Sequence, residues 1–207
     1  MKIRFVSAAA ALLLAAACAD APAPAAARPP AAEPAAAPVA APSGPVDSIL
    51  PNAESQRRFR EGLPEVASLA GASESRDALV RRFARAVERH DTADLRAMVM
   101  SRAEFAYLYY PHTRYTRRPY ELPPELLWFT IEQNSEKGIV RVLRRLGGQP
   151  LGVRSVECED EPEAVGPAGL WNRCLVRRAG DGPAERLFGS IMELDGRYKF
   201  VSYANEF

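Results

Sequence analysis

An α+β fold is predicted for this chain of 207 residues: helices in the first half, packed on a curved, four-stranded antiparallel sheet in the second. Three observations predict it. Leu79, Val80, Phe83, Val87 and His90 recur at offsets of three and four, the stripe of an amphipathic helix. Four short β-compatible segments follow residue 150, each bounded by Gly, Pro or acidic clusters. Asp195-Gly196 then supplies the strongest two-residue hairpin signal in the chain, because both residues tolerate the positive φ that a type I′ turn needs.

The helices follow in order. Residues 51–63 carry Phe59 and Leu63 at helical spacing and end at Gly62-Leu63-Pro64. Residues 75–90 hold the stripe just described. Asp91 or Thr92 is placed to cap a short helix through Leu95 and Met98. Ser101-Arg102-Ala103-Glu104 reads as a capping box, opening a helix through Phe105 and Leu108 that Pro111 ends. A proline-rich loop comes next. Pro123-Pro124-Glu125 begins a longer helix with Leu127, Ile131, Val142 and Leu146 on one side and Gly147-Gly148 at its end. Gly138 interrupts it, so one long helix or two shorter ones remain open.

The strands are expected at 151–158, 171–178, 186–194 and 197–204. Pairing about Asp195-Gly196 puts Ile191 opposite Phe200 and Leu187 opposite Ala204 on one face, with Phe188, Met192, Val201 and Tyr203 on the other. Both faces are partly apolar, so helices on one side and a second cover, or a cavity, on the other are expected.

The first 46 residues read as an address and a tether. Lys2 and Arg4 precede an uncharged apolar stretch over 5–17, which has the order of a secretory signal peptide at 1–17. The run Leu14-Ala15-Ala16-Ala17-Cys18 resembles the lipobox of bacterial lipoproteins. That resemblance implies cleavage before Cys18 and acyl chains on it, hence a membrane as partner through the lipid. In that family an Asp in the next position favours the inner membrane, so with Ala19 there the resemblance implies the outer membrane, facing the periplasm. The alternative is ordinary cleavage nearby that leaves a free thiol. Residues 18–46 form the tether, with 13 Ala and 8 Pro among residues 19–46. Proline blocks helix there and nothing large is available to bury, so an extended linker is expected, with residues 47–207 as one domain.

Cys158 and Cys174 lie in consecutive expected strands, and an exported chain meets an oxidising compartment, so they are expected to form a disulfide. Direct pairing across the ladder also sets Val156 opposite Val176. It would set Arg154 opposite Arg178, which predicts twist or a break there.

The stretch LVRRFARAVERHDTADLRAM and the closing FGSIMELDGRYKFVSYAN together resemble the NTF2-like, or SnoaL-like, family. The resemblance implies a cone-shaped pocket and no particular chemistry, since that fold hosts enzymes, binders and scaffolds.

Charge and composition exclude several classes. With 27 basic and 26 acidic residues there is no basic excess to displace phosphate counterions, so no nucleic-acid partner is expected. Two histidines and three cysteines are too few for a zinc module or an iron–sulfur cluster, and no metal or cofactor is expected. Residues 107–120 are the most unusual segment, holding five of the seven tyrosines with no acid among them. Tyr107, Tyr110, His112, Arg114, Tyr115 and Tyr120 are the candidate binding residues. Rings stack on sugars or other rings, and guanidinium forks hold carboxylates or phosphates. The candidate ligands are therefore a glycan, a peptidoglycan fragment or a small anion. The plainer alternative is a loop whose tyrosines pack over the core. His90 at a helix end reads as structural, while Glu125 and Trp128 near a helix start have two readings, the lining of a pocket or a first-turn acid and a core indole.

Three function classes follow. The first is a non-catalytic ligand-binding or interaction domain on an exported lipoprotein. The second is a structural component of an envelope complex, burying Phe188, Met192 and Tyr203 against another envelope protein. The third is an enzyme with a small-molecule pocket, for which no catalytic residue is assigned.

Overall fold

The computed structural model describes residues 50–206. The expected signal peptide at 1–17, Cys18 and the tether at 18–46 lie outside the described residues. Within 50–206 the fold is α+β, with five α-helices and two antiparallel sheets.

Local signals set most helix boundaries. Helix α1 spans Asn52–Arg60. Helix α2, Arg76–Glu88, starts where Ser75 Oγ accepts the Ala78 amide at 3.0 Å, and α3, Thr92–Ala97, starts where the Asp91 carboxylate accepts the Asp94 amide. The capping box forms as expected: Ser101 and Glu104 exchange side-chain-to-backbone bonds at the start of α4, Arg102–Glu104. The chain then leaves the expected path. It widens into a π-helical turn, Phe105–Tyr109, and tightens into two 3₁₀ turns, Tyr110–His112 and Arg114–Thr116. The wider turn shifts the side-chain phase, and Phe105, Leu108, Tyr109 and Tyr110 are all buried. Helix α5, Pro124–Leu146, runs through Gly138 without a break.

The strand half differs from expectation in membership. Strands β1 (Val153–Glu157) and β4 (Leu175–Arg178) form a separate two-stranded sheet. The four-stranded sheet has the order β2-β3-β5-β6, with β2 Glu163–Val165, β3 Ala168–Trp171, β5 Ile191–Leu194 and β6 Arg197–Phe200. The expected strand at 171–178 is thus two strands in two sheets. The chain crosses between them at Asn172, Arg173 and Cys174, and Arg173 takes φ 50° to do so.

Register agrees with the sequence where turns or apolar pairs fix it. Ile191 lies opposite Phe200 across the Asp195-Gly196 turn. Val156 lies opposite Val176, and the pairing shifts between Val153 and Ser155. That irregularity takes Arg154 out of the ladder, so the two arginines never face each other. Arg178 turns instead to Glu185, at 2.7 Å. Leu187 does not pair with Ala204, because regular pairing stops at Ile191 and Phe200. Two further ladder bonds, Gly189 N to Ser202 O and Val201 N to Ser190 O, carry the register only as far as Gly189.

The four-stranded sheet is covered on both faces. Ile191 and Phe200 pack with Phe83 and Val87 of α2 and Val142 of α5, while Leu170, Met192, Leu194 and Val201 pack with Phe59 and Phe105 on the other side. Phe188 and Tyr203 lie with the first group and not with Met192, because the chain has left the ladder at those positions. Phe188, Met192 and Tyr203 are at most 1% exposed. The apolar sheet face that a structural envelope partner was expected to cover is therefore filled by this chain itself. The outer edge of β6 is blunted by backbone pairing to Ser73 at one end and to Met98 and Met100 at the other.

Cys158 and Cys174 form the expected disulfide, bridging the end of β1 to the residue before β4. With a sequence separation of 16, loop closure is worth about 3 kcal/mol in the chain-entropy account. The bond also ties down Glu159, whose amide donates to the Asn172 carbonyl at 3.1 Å.

Candidate functional site

The tyrosine- and arginine-rich segment forms one wall of an open cleft of about 760 Å³. The opposite wall is built from the β2–β3 hairpin and from Glu159, Asn172, Arg173 and Ser190 around the disulfide. The volume lies within the range of small-molecule sites.

Buried anchors hold the first wall. Tyr110 is 1% exposed, and its hydroxyl donates to the Leu122 carbonyl at 2.6 Å and approaches Asn52 Oδ1 at 3.0 Å. Burial pushes its pKa up to about 12, so it stays neutral and structural, although Asn52 acts the other way. Thr113 Oγ1 donates to the Tyr110 carbonyl, closing the turn from which Arg114 and Tyr115 project. The His112 ring lies against Gly166 of the β2–β3 turn, so closely that a Cβ there would collide with it. Gly166 also takes φ 61°, which favours glycine.

Of the candidate residues, His112, Arg114, Tyr115 and Tyr120 line the cleft, and Tyr107 and Tyr110 do not. Tyr107 stands outside it, with the Arg60 guanidinium 4.7 Å from its ring centre. Tyr109 contributes instead. It is mostly buried, and burial, then the neighbouring Tyr115 and Glu163, push its pKa up to about 12.

Tyr115 and Tyr120 meet edge to face at 5.7 Å, and the Arg114 guanidinium stands 5.3 and 5.5 Å from their ring centres. Arg114 Nη2 also reaches Tyr115 Oη at 3.5 Å. Among the described residues the guanidinium is thus braced by aromatic groups and by no acid. Across the cleft, Glu163 accepts from Asn172 Nδ2 at 3.1 Å, and Ser190 Oγ donates to Asn172 Oδ1 at 2.6 Å. Rings and forked donors on one wall with carboxylate and amide groups on the other suit a polar ligand.

The second wall was missed in the sequence. Its signal is present as ECEDEPE over 157–163, five acids in seven residues, opposite a segment that has cations and no acid. His90 sits after α2 with φ 55°, its ring over Gly147, and Trp128 packs on Phe105 with ring centres 5.4 Å apart; both serve packing. Glu125 is exposed in the first turn of α5. Among the described residues no group of three His, Cys, Asp or Glu side chains is placed to hold a metal ion. No known protein family, curated protein or solved structure matches this chain.

Proposed function

We propose that this protein is an exported lipoprotein, anchored through Cys18 to the outer membrane and facing the periplasm, whose folded part binds a small polar anionic ligand without transforming it. Glycans and peptidoglycan fragments are the ligand classes whose rings and acid groups this lip suits. The observation that carries the reading is the Arg114 guanidinium set against the Tyr115 and Tyr120 rings on the wall of an open cleft, with no acid among the described residues taking up its donors. The helical pair α2–α3 followed by an antiparallel sheet supports reading the fold as a variant of the NTF2-like cone, with the π-helical turn and lip standing where that family places a strand hairpin.

Binding is tested by titrating the purified protein with saccharides and carboxylated small molecules. Tyr115→Ala is expected to weaken the best ligand about tenfold, the value of one aromatic platform. Equal affinity in wild type and variant would remove the cleft from the reading. The anchor is tested separately by intact mass and membrane fractionation. The native protein is expected to carry acyl mass and sediment with membranes, and Cys18→Ser to do neither. An unacylated, freely soluble native chain would overturn the lipoprotein reading and leave the cleft untouched.

A further inference from the structure

Two of the cleft's arginines are paired with acids of this chain. Arg118 is engaged by Glu121 at 3.4 Å, and Arg173 by Glu159 at 3.2 Å. Each of these guanidinium groups has its counter-charge within the protein. Among the described residues, Arg114 and Arg117 remain on the lip with no carboxylate partner, and Glu163 remains on the opposite wall with an amide partner and no cation. Arg114 bonds to the Tyr115 hydroxyl and Glu163 to the Asn172 amide, so the two are not joined as an ion pair. They are nevertheless within electrostatic reach. Arg114's pKa is raised first by its hydrogen bond to Tyr115 and least by the charge of Glu163. Opposite charges on two walls, too far apart to meet, leave a gap that a ligand carrying both complementary charges would close.

Resting on the anion-binding reading above, we infer that the ligand is a small zwitterion, with its carboxylate on Arg114 and Arg117, its ammonium on Glu163, and its ring or backbone lying along Tyr115 and Tyr120. A plain anion would satisfy the lip and leave Glu163 facing the ligand's negative end. The chemistry is shared by short peptides with free termini and by amino sugars that carry an acid. The Asn172–Ser190 pair holds the Glu163 carboxylate in place for an incoming ammonium, and no donor among the described residues takes up the second Glu163 oxygen.

The test compares zwitterions with their singly charged counterparts on the full protein. The probes are alanyl-alanine with its N-acetyl and C-amide forms, and muramic acid with N-acetylmuramic acid. The expected result is that at least one zwitterion binds and that blocking either charge weakens it about tenfold, as loss of one charged hydrogen bond would. Glu163→Gln keeps an acceptor for Asn172 and the fold, and is expected to remove the difference between zwitterion and monoanion. Arg114→Gln is expected to weaken both. Preference between the dipeptide and muramic acid identifies the source. If the N-acetyl monoanions bind as tightly as the zwitterions, and Tyr115→Ala still weakens them, the zwitterion inference fails and the anion-binding reading stands. If no probe binds in either form, both fail.

Discussion

Lys199→Met is expected to lower the unfolding free energy by about 3–5 kcal/mol, read as a fall in the urea midpoint at unchanged slope. Lys199 projects from β6 into the layer beneath α4, where its ammonium meets both Glu104 oxygens at 3.0 and 2.8 Å. The side chains are 5% and 1% exposed. Glu104 also accepts the Ala70 amide at 2.7 Å and the Ser101 amide at 2.6 Å. One carboxylate therefore closes the capping box, ties the loop before α2 and neutralises Lys199 of β6. Removing the ammonium leaves that carboxylate buried with two backbone donors and no counter-charge. The cost is set by the desolvated charge left behind and much less by the lost attraction.

The comparison that isolates this mechanism is the double variant Lys199→Met with Glu104→Gln. The glutamine carboxamide keeps an oxygen for a backbone donor and leaves no unpaired charge. The double variant is expected to be more stable than either single variant, a coupling of about 2 kcal/mol or more. Lys199 borders a groove of about 310 Å³ between α3, α4 and α5. If water in that groove already solvates the ammonium, the single variants will each cost under about 1 kcal/mol and will add, as exposed pairs do.

The same pair shows how legible this molecule is in its sequence. Local signals were readable because their physics is local. Asp195-Gly196 sets the Ile191–Phe200 register, and the repulsion between Arg154 and Arg178 announces the irregularity that separates them. Glu104 was readable as a capping residue, yet its partner lies 95 positions away. The clue in the sequence is parity: Lys199 falls on the same face as Val201, a face that also carries Met192 and reads as apolar. Hairpin β2–β3 was missed because Glu163 and Ala164 are exposed and three-residue strands carry almost no periodic pattern. The binding lip was readable from composition, and its opposite wall was not, since complementarity between two distant loops is a property of the folded chain. Tyr107 and Tyr110 share the lip's composition, but the π-helical turn and a buried hydroxyl network assign them elsewhere.

Gly138→Ala is the second large effect, and its sign is opposite to the one helix propensity gives. In an exposed helix interior, alanine gains about 1 kcal/mol over glycine. At 138 a Cβ would fall inside the Tyr203 carbonyl oxygen and 2.7 Å from its carbonyl carbon. The obstacle is backbone, which has no rotamer to change. That backbone is also fixed from both sides: Asn205 Nδ2 donates to the Gly138 carbonyl at 2.9 Å, and Ser135 Oγ accepts the Tyr203 amide at 3.4 Å. Accommodating a methyl group means lifting the C-terminal segment off α5, at about 1–3 kcal/mol for overpacking and about 1 kcal/mol for each hydrogen bond lost. Net destabilisation of about 2–4 kcal/mol is expected, measured by urea unfolding beside Asn134→Ala, an exposed site on the same helix expected to gain a few tenths. A stabilised Gly138→Ala would mean that residues 202–206 do not rest on α5 in solution. Since Tyr203 packs with Phe83 and Phe200 and donates to the Leu95 carbonyl, such a result would also unseat the aromatic centre of the core. Gly138, which reads in the sequence as a weak point in a long helix, is thus the position where the sheet half of the chain docks onto the helical half.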